Sequence, residues 1–177
     1  MTVFAVTDIS HFETVADYLP ILNAALYTDI GFIILLYNKA YNIPILEKWY
    51  KQYQLSAVIA DVLSIVIGII LARVFYSYLF STFSIWKFIL LAVLIQVFHD
   101  FTFYGIFQSA PTGHNAMLDF FKEYARNLGV TAVLGDSAMM IITALIASLF
   151  TANLSMNVNI ILFIFGVYLI PYLINYK

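Results

Sequence analysis

Four aspartates stand where carboxyl groups are expensive. Asp29 lies in Ala-Leu-Tyr-Thr-Asp-Ile-Gly, Asp61 in Ala-Val-Ile-Ala-Asp-Val-Leu, Asp100 in Gln-Val-Phe-His-Asp-Phe-Thr and Asp136 in Ala-Val-Leu-Gly-Asp-Ser-Ala. Each sits in a different apolar stretch, and an acidic side chain at a bilayer centre costs roughly 2.5 to 3.5 kcal/mol even on a lenient insertion scale. Residues so placed hold or relay protons, bind cations, or hydrogen-bond between helices. Four carboxylates in one low-dielectric region cannot all be ionised without compensation. Arg73 is a poor partner, because twelve residues beyond Asp61 is roughly 18 Å along a helix. Neutralisation is left to shared protons, a metal cation or a cationic substrate. No cofactor is required, and any metal would be held by the same four aspartates.

Three neighbours are candidates to support or relay. Gln96 is one helical turn before Asp100, and Ser137 follows Asp136. His99 adjoins Asp100 but is turned about 100° from it on a helix, which aims it at a neighbouring helix. His11 and His114 fall outside the apolar stretches, and no HxxxH pair is present. The chain also lacks GxxxxGK[ST], G-x-S-x-G, HExxH and any DxxD or DxxxD doublet among these aspartates, so a metal would have to be assembled from four separate helices. Without cysteine there is no disulfide, thiolate site or cysteine nucleophile.

The elements that carry these residues follow from composition. With 63% hydrophobic and 10% charged residues, the chain departs from a soluble domain toward one whose solvent is lipid. Apolar stretches long enough to cross a bilayer recur. The reading is an all-α integral membrane helical bundle, one domain over 1–177, with spans at about 18–37, 55–75, 85–108, 130–151 and 157–175. A hydrophilic loop, Asn38 to Gln54, joins the first two. The connection near Asn153 is very short, which predicts that the last two spans form an antiparallel hairpin. Residues 115–128 read as an interfacial amphipathic helix: Asn115 is the N-cap, Gly129 the C-cap, and Met117, Phe120, Phe121, Tyr124 and Leu128 share one face. Met1 to Glu13 lack the basic start and apolar core of a signal peptide.

Positive residues assign the sides. Lys39, Lys48, Lys51, Lys122, Arg126 and Lys177 fall on one side and only Arg73 and Lys87 on the other, predicting the N-terminus outside and the C-terminus in the cytosol. In that frame all four aspartates lie roughly 9 to 12 Å below the inner surface. Helical period then gives direction. The rows Ala57, Asp61, Ser64, Gly68, Ala72; Ala92, Gln96, Asp100, Tyr104; and Ala132, Asp136, Met140, Thr143, Ala147 are rich in small or polar residues, as where membrane helices approach closely. The carboxyls are therefore expected to face a shared interior or a cleft open to the inner side. A short internal likeness, Ala57-Val-Ile-Ala-Asp-Val-Leu to Ala132-Val-Leu-Gly-Asp-Ser-Ala, suggests a repeat of the kind that transporters use.

Residues 98–140 carry His99-Asp100-Phe101, Phe103-Tyr104, Pro111-x-Gly113-His114-Asn115-Ala116-Met117, Asp119-x-Phe121-Lys122-x-Tyr124-Ala125 and Asp136-Ser137-x-Met139-Met140. This run resembles a polytopic membrane-protein family, without assigned chemistry, that recurs among large DNA viruses of algae and protists. The resemblance implies a virion inner membrane or a host membrane and implies no activity.

The leading expectation is a polytopic membrane protein whose aspartate cluster binds or conducts a cation or protons, working as a transporter or channel. A structural membrane protein is the alternative, its carboxyls only pairing helices and its amphipathic helix docking a partner such as a capsid layer; self-association is a further partner expectation. An intramembrane lipid enzyme is the third. Net charge is −2 with eight Lys and Arg, so nothing can neutralise many phosphates, and nucleic acid is excluded as a partner.

Overall fold

The computed structural model describes residues 6–176, so Lys177 of the charge count lies outside the described residues. Among them are seven α-helices: α1 Tyr18–Tyr37, α2 Pro44–Tyr53, α3 Leu55–Leu79, α4 Ile85–Ser109, α5 Ala116–Leu128, α6 Val130–Asn153 and α7 Met156–Ile174. Five of them, α1 with the turn before it, α3, α4, α6 and α7, are long and apolar enough to cross a membrane. Their outward faces carry large apolar side chains such as Leu63, Ile67, Leu94, Phe98, Ile161 and Phe165, as the faces of a bundle immersed in lipid do.

The bundle is built around α1. It is the most buried span, and its polar residues find partners on both flanks. Asn23 Nδ2 donates to the Asn159 carbonyl at 2.8 Å, the Tyr27 hydroxyl to the Leu162 carbonyl at 2.9 Å, and Thr143 Oγ1 to Thr28 Oγ1 at 3.1 Å. The hairpin expectation needs correction here. α7 follows α6 directly but packs chiefly against α1, because Asn159 and the flat surface at Gly166, against Leu26 and Tyr27, fit α1.

The two ends of the bundle differ. At one end the segment before α1 folds over the helix ends. Arg73, 1% exposed, donates to the backbone carbonyls of His11 and Thr14 and to Asp17 Oδ2, the last at 3.2 Å, while its guanidinium lies 4.5 Å from the centre of the Tyr18 ring. The opposite end carries α2 and α5. Asn115 caps α5 as expected, its Oδ1 accepting from the amides of Met117 and Leu118.

The region 38–54 is not simply a hydrophilic loop: residues 44–53 of it form α2. Pro44 opens it at a position where no amide is needed, the Glu47–Lys51 pair lies one turn apart at 3.2 Å, and Ile45, Trp49 and Tyr50 form its buried face. α2 and α5 lie side by side, joined by Lys48 Nζ to Glu123 Oε2 at 2.6 Å and by Trp49 stacked on Phe120.

Each surface helix enters its span through one residue of positive φ: Gln54 (48°) into α3 and Gly129 (51°) into α6. The aspartate follows seven residues later in both cases, Asp61 and Asp136. The short sequence likeness is thus one part of a longer correspondence, in which α1–α2–α3 and α4–α5–α6 run in the same order.

Candidate functional site

The four aspartates stand six to nine residues from the ends of their helices on the α2 and α5 side, a depth of roughly 9 to 14 Å. Asp61, Asp100 and Asp136 share the wall of one cavity of about 820 Å³ between α2 and α5 and the halves of α3, α4 and α6 nearest them. Gln96, His99, Tyr41, Trp49, Tyr50 and Tyr124 also line it. Among the described residues no lysine or arginine does. Exposed Phe101, Tyr104 and Leu134 form part of its rim. Asp29 is fully buried and lies behind Tyr50, outside this wall.

Hydrogen bonds to the carboxyls come largely from residues that periodicity in the spans does not point to. Consecutive residues of α2 reach two different helices: Trp49 Nε1 donates to Asp61 Oδ2 at 2.9 Å, and the Tyr50 hydroxyl donates to Asp29 Oδ1 at 2.8 Å. Spacing of Ile45, Trp49, Tyr50 and Tyr53 after Pro44 was the sequence signal for them. Gln96 Nε2 donates to Asp100 Oδ1 at 2.7 Å.

His99 departs from expectation. Its Nδ1 lies 3.2 Å from Asp100 Oδ1, and its ring stacks on Phe103 rather than on a neighbouring helix. The backbone directions diverge, but the imidazole is long enough to fold back. Ser137 lies outside the cavity wall, since one residue along a helix turns it away from Asp136. Tyr104, expected on an inward row, is half exposed.

The tyrosines of the surface layer record the charge around them. Burial pushes the Tyr50 hydroxyl well up, and the Asp29 and Asp61 carboxylates push it further. Tyr41 is pushed up to about 12 by burial and by Asp29. Tyr124 is raised by burial, then by Asp136, Asp61 and Asp100. All three phenols are therefore neutral near pH 7. Tyr124 stands five residues before Gly129, as Trp49 stands five before Gln54, so both repeats turn an aromatic from the surface helix toward the acids.

Among the described residues no group of three histidine, cysteine or acidic side chains could hold a metal ion. Asp61, Asp100 and Asp136 are spread around the wall of one cavity. Oδ2 of Asp29 and Oδ2 of Asp100 are buried without a partner.

Fold and site together define a polytopic α-helical membrane protein with a few buried acidic residues at one end of its bundle. Comparison with family models, curated proteins and solved structures gives no match to this chain.

Proposed function

We propose that the protein takes protons or small cations from the cytosolic side into the acidic cavity and holds or passes them through the inner half of the membrane. One observation carries this reading: three carboxyls from three helices wall a single cavity with no lysine or arginine among the described residues of its lining. Charge at that position has to be balanced by something that comes and goes. Support comes from the parallel repeat of span, surface helix and span, with the site between the units, an arrangement found in transporters. The excess of lysine and arginine at the α2 and α5 end supports a cytosolic mouth. The resemblance of residues 98–140 supports a virion inner membrane or a host membrane as its location.

The test uses the full chain reconstituted in vesicles that enclose a pH-sensitive dye, under a potassium diffusion potential set by valinomycin, with sodium or potassium outside. Wild type is expected to carry protons or cations and the variant Asp61→Asn/Asp100→Asn/Asp136→Asn to carry neither. Equal flux through the two, or none through wild type, removes the proposal.

A structural role has one observation in its favour: Trp49 and Tyr50 tie α2 to the bundle through Asp61 and Asp29. Under that reading all four Asp→Asn changes leave the protein folded and assembled, with no flux to lose, because asparagine still accepts the same hydrogen bonds.

A further inference from the structure

Asp29 differs from the other three acids. It is fully buried and shut off from the cavity. Its Oδ1 accepts the Tyr50 hydroxyl and its Oδ2 accepts nothing. No cation faces it. The ionisable groups around it are Tyr50 of α2, Tyr41 of the α1–α2 connection and Asp61 of α3. From α6 and α7 this part of α1 meets Thr143 and Gly166, which do not ionise. A carboxylate away from water, with one neutral donor and, among the described residues, no cation beside it, carries a penalty that protonation of the carboxyl removes.

Tyr50 is the polar link between this carboxyl and the cavity. It lines the cavity, donates to Asp29 and also interacts with Asp61. We propose that Asp29 is a closed proton site, filled and emptied through the Tyr50 hydroxyl from Asp61, so that cation occupancy of the cavity and protonation of Asp29 are coupled. This rests on the cavity taking up protons or cations. The transfer balances: Tyr50 gives its phenolic proton to Asp29 Oδ1 and receives one from the Asp61 carboxyl. Asp29 ends neutral, Asp61 ends negative and Tyr50 is unchanged. A cation beside Asp61 favours that direction.

Infrared difference spectroscopy of the reconstituted full chain tests this through the carbonyl stretch of protonated carboxyls. The expected result is a wild-type band that is lost in Asp29→Asn and kept in Asp100→Asn/Asp136→Asn, which leaves Asp61 in place. Its exchange in heavy water is expected to slow in Tyr50→Phe by roughly 100-fold, the scale contributed by one positioned proton-transfer group. A band retained in Asp29→Asn, or exchange in Tyr50→Phe as fast as wild type, overturns the proposal. If Tyr50→Phe fails to fold, Asp29→Asn alone decides: loss of the band supports the closed site and retention overturns it. Vesicle flux separates the two readings. Flux lost in the triple variant but unchanged in Asp29→Asn and Tyr50→Phe overturns the closed proton site and leaves the cavity reading standing. Flux unchanged in the triple variant overturns the cavity reading, whatever the Asp29 band shows.

Discussion

The Tyr50 hydroxyl stands 2.8 Å from Oδ1 of Asp29, joining a surface helix to the most deeply buried acid of the central span. That bond holds α2 down on the bundle, closes the space behind the cavity and gives the carboxyl its donor. Losing a hydrogen-bond partner at a buried polar atom costs about 1 to 3 kcal/mol, whereas replacing both partners by apolar groups is nearly neutral. Tyr50→Phe is therefore expected to destabilise by that amount in thermal unfolding in detergent, and Tyr50→Phe/Asp29→Leu to recover most of it. Equal losses in the single and double variants count against a stabilising role for the bond.

Trp49 makes two separable contributions, a hydrogen bond to Asp61 and a stack on Phe120 with ring centres 5.2 Å apart. Trp49→Phe keeps the stack and loses the donor, for about 1 to 3 kcal/mol. Trp49→Ala loses both and opens a void, for about 3 to 5 kcal/mol. The difference between the two variants, measured by unfolding, reports the packing of α2 on α5.

Gln54 and Gly129 occupy corresponding junctions with positive φ. A side chain in the left-handed region costs about 1 to 2 kcal/mol. Gly129→Ala is expected to destabilise by about that much, and Gln54→Gly to be neutral or stabilising. Opposite signs at the two positions in melting temperature check the correspondence of the repeats.

At the other end, Arg73 and Asp17 form a buried ion pair. Removing one partner of such a pair costs about 3 to 5 kcal/mol. Arg73→Ala is expected to fall in this range and to expose residues 6–17 to added protease. Asp17→Asn is expected to cost less, because Arg73 keeps two backbone carbonyl acceptors. Protection of the segment in Arg73→Ala contradicts this.

The buried phenols predict alkaline behaviour. Tyr41 titrates at about 12 when folded, against 10.0 for a free phenol. With the folded value raised, its contribution to stability is complete below pH 10 and is lost as pH rises toward 12. Ultraviolet titration of tyrosinate is expected to show the exposed tyrosines ionising first and Tyr41, Tyr50 and Tyr124 only later or on unfolding. Ionisation of all tyrosines in one step near pH 10 in the folded protein disproves it.

The spans were legible because lipid imposes a length and a composition on each helix separately. The expected bounds at residues 18–37, 55–75 and 85–108 match α1, α3 and α4 to within a few positions. The surface helix at 115–128 was readable from its caps and its one-sided apolar row. α2 was hidden by Lys39, Glu47, Lys48 and Lys51, which made residues 38–54 look like solvent-exposed loop. The row through Ile45, Trp49, Tyr50 and Tyr53 is short, and short rows weigh little until something packs on them.

The types and depths of Asp29, Asp61, Asp100 and Asp136 are local properties, set by distance along a helix, and the sequence determined them alone. Their division into three acids around a cavity and one shut behind it was decided by tertiary structure. That division depends on which helix Trp49 and Tyr50 reach, on α7 leaning on α1, and on His99 folding back to Asp100. Each is a choice between partners remote in sequence, made by packing and by hydrogen-bond donors seeking acceptors where no water competes.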